Sequence, residues 1–449
     1  MTARITESAM YGHLWGTPAA RAVFDERARL QRWLDVLAAL ARAQAAEGLL
    51  PAAAADQITA SARVELLDLD LVAEQTRASG HSTLGLIRAL SNVLPEDVHR
   101  HVYVGATVQD LTDTWTSLAL RDIGAEVWRD LRALEELLLE LAARHRSTLM
   151  VGRTHGQPGA PITFGWKVAS WADETRRHLD RLHEGAPRWL VGQLGGGVGT
   201  LAGLGPQGLA VRRRFCAELG LREPTTSWLT SRDRIAEVGA VFAMVTATLA
   251  RIGDEVYELQ RPEIGELREP AVAGVVASIT MPHKRNPERS EHLGTLARLV
   301  RVNAGVLVEA MVAGHERDGR TWKAEWVALP EVCLLTTTAT AMAVELIGGL
   351  EVDVARMRAN LSDDVGSEQA LAALTGRLGK HDAQQTLQSV LARGRAAGLP
   401  LSAALIEAGL LTASELDAME PDAGAAGEMV DRVVAHCRAA RESESATWP

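Results

Sequence analysis

An all-α fold is predicted for this chain of 449 residues, on three observations. Ala, Leu, Glu and Arg, all good helix formers, dominate the composition. Long stretches carry apolar residues at three-to-four spacing. Alternating polar-apolar runs joined by hairpin turns are scarce.

The stripes can be taken in order. From Arg21 to Glu47, Val23, Leu30, Leu34, Leu37, Ala41 and Ala45 form one apolar face, and Gly48 and Pro51 supply the stop. Asp110 to Arg146 carries Leu111, Trp115, Leu118, Ile123, Val127, Leu131, Leu134, Leu138 and Leu141. A helix of that length is roughly 50 Å long and needs neighbours along its whole side. Similar runs cover Gly165 to Arg188, Ser231 to Leu259, Pro287 to Val312 and Leu329 to Leu350. The five long helices from Asp110 onward suggest a bundle, and their wide stripes favour packing on more than one side. Gly192 to Gly208 reads as a connector, and Glu263 to Pro287 as an extended loop. Boundaries fall near Gly105 and Gly349, giving an N-terminal helical domain (1–105), a central long-helix domain (106–350) and a smaller helical domain (351–449).

Net charge is −10, which argues against nucleic acid or an anionic membrane as partner. A small anionic substrate then requires a local cationic pocket. Cys216, Cys333 and Cys437 are far apart and odd in number, so neither a disulfide framework nor a metal site is implied, and a reducing cytoplasm fits. No signal-peptide pattern and no uninterrupted apolar run of about 18 residues is evident. No His-x-x-x-His pair is present, and neither a metal nor a cofactor is expected.

Three segments could carry chemistry. In Ser278-Ile-Thr-Met-Pro-His-Lys284-Arg-Asn286-Pro287, a nucleophile or base, a cation and an amide lie within nine residues. Pro282 and Pro287 stiffen it, and Ala271 to Val276 before it is small and flexible enough for a lid. Its plainer reading is a loop capping the next helix, with Asn286 as N-cap. In Gly152-Arg153-Thr154-His155-Gly156-Gln157-Pro158, Arg, Thr, His and Gln together suit anion binding and proton transfer, although a lone His is more often structural. In Gly105-Ala-Thr107-Val108-Gln-Asp110, Asp110 could cap a helix, or Thr107 and free N–H groups could hold a carboxylate. Gly195 to Gly199 lacks the Lys-Ser/Thr ending of a phosphate loop and reads as a tight turn.

Occurring together and in this order, the three segments resemble the signature regions of the fumarase/aspartase superfamily. The match covers roughly residues 100–290. The resemblance implies a homotetramer with a central twenty-helix bundle, each active site drawing on three subunits. It implies that Ser278 is the general base on a mobile loop, and that Lys284 and Asn286 hold the carboxylate beside the reacting carbon. His155 then binds or protonates the departing group, and His81, after Glu74-Gln-Thr-Arg, aligns with a second catalytic histidine of adenylosuccinate lyases. Thr107, Val108, Arg153, Thr154, Gln157 and Arg317 fall at substrate-binding positions.

Two branches are similar. Tyr11-Gly-His-Leu-Trp, His315-Glu-Arg with Trp322-Lys-Ala-Glu325-Trp326, and Trp228 four residues before Arg232 resemble 3-carboxy-cis,cis-muconate cycloisomerases. His155 and His81 resemble adenylosuccinate lyase. Here Ala277-Ser278-Ile279 replaces Gly-Ser-Ser, and the Arg-Tyr-Ser/Thr start and the Ser-His-Ser-Ser segment after Glu316-Arg317-Asp318 are absent. These departures point away from a nucleotide. The expectation is a fumarate-releasing lyase on a smaller amino-, nitro- or hydrazino-type succinate. The alternatives are a cycloisomerase and a non-catalytic structural protein of crystallin type, the latter opposed by the presence of Ser278, Lys284, Asn286 and His155. A nucleic-acid-binding helical protein is opposed by the charge.

Overall fold

The computed structural model describes residues 4–271, 274, 278–417, 419 and 421–449. Its centre is a bundle of long helices: α4 (Val108–Arg144), α5 (Phe164–Trp189), α6 (Asp233–Gln260), α7 (Glu288–Glu309) and α8 (Gly319–Gly348). In front of it come α1 (Pro18–Phe24), α2 (Glu26–Ala46) and α3 (Leu69–Ser79), with shorter helices between and after. The fold is all-α, as composition and periodicity predict.

The apolar stripes become the core. Leu131, Leu134, Leu138 and Leu139 on α4 are fully buried, as are Val168, Leu179, Val245 and Val256 on the helices beside it. Helix α4 packs on α5 and α8, and α6 packs on α5, α7 and α8. Among the described residues, α6 and α8 are long and apolar enough to cross a membrane by composition, but about two thirds of each apolar window is buried in the bundle. The outer side of α7 leaves Val302 68% and Val308 50% exposed, so large apolar side chains remain uncovered on a central helix. A separate core, including Leu374, Leu387, Val390 and Leu405, forms within residues 370–411.

Three element boundaries differ from the sequence expectations. The run from Arg21 to Glu47 is two helices, because Asp25 leaves helical geometry and its carboxylate caps α2 by accepting from the Ala28 N–H at 3.0 Å. Asp25→Ala is expected to cost about 1 kcal/mol, read as a lower denaturant midpoint at constant slope. Helix α8 starts ten residues before Leu329 and carries Pro330 inside it. Asn286 is not the N-cap of α7; Pro287 holds that place, and Asn286 Nδ2 donates to Glu288 at 3.2 Å.

The structure also contains a hairpin that the apolar periodicity does not predict. Strands β1 (Leu149–Thr154) and β2 (Gln157–Thr163) pair antiparallel, with Thr154 opposite Gln157. The two-residue turn is His155-Gly156, with φ of 54° and 72°. Positive φ at both central residues is the geometry that matches hairpin twist, and glycine takes the second position without strain.

Candidate active site

The site residues fall at two poles of the bundle. Helix α4 has 37 residues, so its ends are roughly 55 Å apart at about 1.5 Å per residue. Thr107 precedes its first turn, and the hairpin begins five residues after its last.

At the first pole Thr107 is the N-cap of α4, and Val108, half-buried, is its first residue. The helix start presents backbone N–H groups and the positive end of its dipole. Arg317 donates to Thr107 Oγ1, which adds a guanidinium to that helix end. The Tyr103 phenol lies beside Thr83 and Thr107, and burial, reinforced by Asp110, raises its pKa, so it stays a neutral donor. Tyr103 is also held at φ 65°, a conformation bulky residues rarely adopt. His81 is exposed two residues before Thr83, and its Nδ1 accepts the Thr83 N–H at 3.4 Å.

This pole is fixed from below. Asp110 accepts the Thr107 N–H at 2.9 Å, Gln193 Nε2 at 3.1 Å, and the Gly195 and Gly196 N–H groups at 2.8 and 2.9 Å. The Gly-rich segment, expected to be only a turn, is therefore clamped to the N-terminus of α4. Gly105 (φ 75°) has no room for a side chain, since a Cβ would come within 2.4 Å of Leu204. Burial pushes the Asp110 carboxyl up to about 6, although its four N–H donors favour the anion. The native state then binds the proton more tightly than the unfolded chain, so this contribution to stability falls as pH rises from about 4 to 6. Denaturation at pH 4.5 and 6.5 is expected to show wild type losing stability relative to Asp110→Asn across that window.

At the other pole, Arg153 is committed to Glu266 through two bonds of 2.9 and 2.7 Å, and the Glu266 side chain is fully buried. Within one chain Arg153 is thus a clamp holding the hairpin to the segment after α6. Thr154, His155 and Gln157 are exposed at the hairpin tip. Nearby, Gln260 at the end of α6 donates to the Arg285 carbonyl at 3.1 Å. The free N–H groups of Arg289 and Ser290 at the start of α7 are occupied by Glu269, at 3.2 and 2.7 Å. Ser278 Oγ accepts the Met281 N–H at 3.0 Å, which favours negative charge on that oxygen. Lys284 is exposed and Asn286 half-buried. The lid segment read at 271–276 lies, except for Ala271 and Gly274, outside the described residues.

One chain therefore brings Thr107, Val108, Arg317 and the segment of His81 to one pole. It brings Arg153, Thr154, His155, Gln157, Ser278, Lys284 and Asn286 to the other. No sequence signal marked Tyr103, whose importance lies in its backbone conformation and its neighbours. Among the described residues no group of three or more His, Cys, Asp or Glu is arranged to hold a metal.

This fold and paired arrangement define a class. Residues 15–302 match the family profile described as Lyase. The N-acetyl-S-(2-succino)cysteine lyase of Enterococcus italicus is 40% identical over 85% of this chain and 85% of its own. The 3-carboxy-cis,cis-muconate cycloisomerase of Pseudomonas aeruginosa is 42% identical over 83% of each chain. The crystal structure of the Pseudomonas putida 3-carboxy-cis,cis-muconate lactonizing enzyme superposes with a TM-score of 0.89 at 36% identity, covering 96% of this chain and 99% of that one. The chain belongs to the fumarase/aspartase superfamily.

Proposed function

We propose that this protein eliminates a heteroatom group from a 2-substituted succinate and releases fumarate, at sites assembled from several copies of the chain. The observation that carries this is the separation of the two poles. Thr107 with Arg317 and Ser278 with Lys284 lie at opposite ends of α4, so a site using both must take them from different molecules. The exposed Val302 and Val308 on α7 support a tetramer built on the central helices.

In this reading Thr107, the N–H groups at the start of α4 and Arg317 hold one carboxylate of the succinate. Lys284 and Asn286 hold the carboxylate beside the carbon that loses its proton. Ser278 Oγ takes that C–H proton, and the electron pair moves into the carboxylate to give an aci-carboxylate dianion. Fixed donors and the Lys284 cation stabilise this charge. Collapse forms the C=C bond of fumarate and breaks the bond to the heteroatom. The departing atom takes a proton from an exposed imidazole, His155 or His81. A serine can act as base only where its alkoxide is stabilised, and the Met281 N–H supports that charge at Ser278 Oγ. The absent Ser-His-Ser-Ser segment and the likeness to the N-acetyl-S-(2-succino)cysteine lyase support a departing amine or thiol smaller than a nucleotide.

A second reading, lactone closure on a carboxymuconate, is supported by the 42% identity to a cycloisomerase. Absorbance at the fumarate band, with a panel of amino-, nitro-, hydrazino- and thio-substituted succinates, tests the two. Elimination predicts fumarate from at least one of them at about 1–10³ s⁻¹. Silence on every succinate with turnover of carboxymuconate overturns it in favour of the second reading.

A further inference from the structure

We propose that a cavity of about 390 Å³ between α1, α2, α3, α4 and α8 receives the body of the departing group, and that Arg29 reads a carboxylate on it. This rests on the elimination reading above and adds a substrate class to it: succinates whose departing thiol or amine has an apolar or aromatic body bearing an anion.

The walls are apolar and aromatic, with Phe24, Trp33, Val72, Trp115 and Trp326 among them. A volume of this order suits a small organic group. Set into these walls is Arg29, whose guanidinium carbon stands 5.7 Å from the Trp33 ring and 6.0 Å from the Trp115 ring. Aromatic faces hold this cation in place. Arg29 Nε and Trp33 Nε1 are both buried with no hydrogen-bond partner, and no carboxylate pairs with Arg29 among the described residues. The three buried arginines behave differently: Arg176 holds Glu135 and Glu444, Arg212 holds Glu223, and Arg232 holds Asp113 and Glu325. Unmatched buried donors of this kind call for a partner, and a planar guanidinium matches a carboxylate with two parallel bonds.

The acidic groups on the wall do not supply that partner. Asp113 and Glu325 are both engaged by Arg232, and Glu26 is exposed on the first turn of α2. The position also fits. Ser82, next to His81, and Thr112, about one and a half turns along α4 from Thr107, also line the cavity. A second hollow of about 490 Å³ shares Phe24, Arg29, Trp326 and Pro330 with the first, so Arg29 stands where the two adjoin. The substituent of a succinate held at Thr107 and Arg317 is assigned to this space, in which Arg29 is the half-buried cation and Arg77 an exposed one.

The test uses two thioethers of nearly equal leaving-group acidity, 2-(benzylthio)succinate and 2-(4-carboxybenzylthio)succinate, with purified wild type, Arg29→Gln and Arg29→Lys. Glutamine keeps the stem packed on the two rings, and lysine keeps the charge without the planar fork. Fumarate release is expected to favour the carboxybenzyl compound by about 10- to 100-fold in kcat/KM, with the ratio falling toward 1 in Arg29→Gln and only partly recovering in Arg29→Lys. In parallel, tryptophan fluorescence is titrated with 4-(hydroxymethyl)benzoate and benzyl alcohol, which report on the cavity without turnover. Selective binding of the benzoate that is lost in Arg29→Gln supports the cavity assignment even if no thioether reacts, a result that would count against elimination alone. Turnover of both thioethers with a ratio near 1 in wild type, or a ratio unchanged in Arg29→Gln, overturns the assignment and leaves the elimination reading standing. Binding that does not distinguish the two alcohols also overturns it.

Discussion

Arg232→Ala is expected to destabilise the protein by about 3–5 kcal/mol, a loss typical of breaking a buried ion pair from one side. The Arg232 side chain is 1% exposed and its partners Asp113 and Glu325 are 2% and 5% exposed. The guanidinium gives Asp113 bonds of 2.7 and 3.1 Å and Glu325 a bond of 2.9 Å through Nε. The Trp228 ring lies 5.0 Å from its centre, and Trp322 Nε1 donates to Asp113 at 3.3 Å. Burial works against the charge on Arg232, but the two carboxylates outweigh it and hold its pKa up. Burial raises the pKa of Glu325 in the same way, with Arg232 opposing. Removing the cation leaves two carboxylates in the core with no counter-charge. Urea denaturation checks this through the midpoint. Adding Asp113→Asn and Glu325→Gln to Arg232→Ala is expected to recover part of the loss, since neutral amides cost less to bury than unpaired carboxylates. An Arg232→Ala midpoint equal to wild type would contradict the account of this network.

Ser278→Ala is expected to lower kcat for fumarate release by about 10²–10⁴-fold, the usual contribution of a positioned general base. Stability is expected to stay within about 0.5 kcal/mol of wild type, because Ser278 lies on a loop outside both apolar cores and, among the described residues, its hydroxyl meets the Met281 N–H alone. The pair of readouts separates a chemical role from a structural one. Loss of activity with an unchanged denaturation midpoint fits the base, whereas equal activity in both proteins removes Ser278 from the mechanism.

The long helices were legible because each repeats its apolar residues over many turns and packs them into one bundle. The breaks were not. Asp25 interrupts an apolar stripe that continues on either side of it, so only the cap bond to Ala28 reveals two helices. Pro330 sits inside α8, where proline ordinarily marks an end, which moved the expected start to Leu329. The hairpin was hidden because Gly152, Pro158 and Pro161 disturb the alternation that signals strands. For the candidate site, the three segments stood out by residue type and order, but their distribution over two poles follows from the length of α4. The bond from Arg317 to Thr107 joins residues 210 apart, and the Arg29 cavity joins walls from five separate helices. No local pattern encodes either.

Mixing two inactive variants tests the proposed composite site most directly. Ser278→Ala disables one pole and Thr107→Val the other, so each homo-oligomer is expected to be nearly inactive. If each site takes its Thr107 and its Ser278 from different chains, random co-assembly restores about one quarter of wild-type fumarate release in an equal mixture. Co-expressed or co-refolded mixtures that stay as inactive as either parent, while sizing as mixed oligomers, would contradict the account.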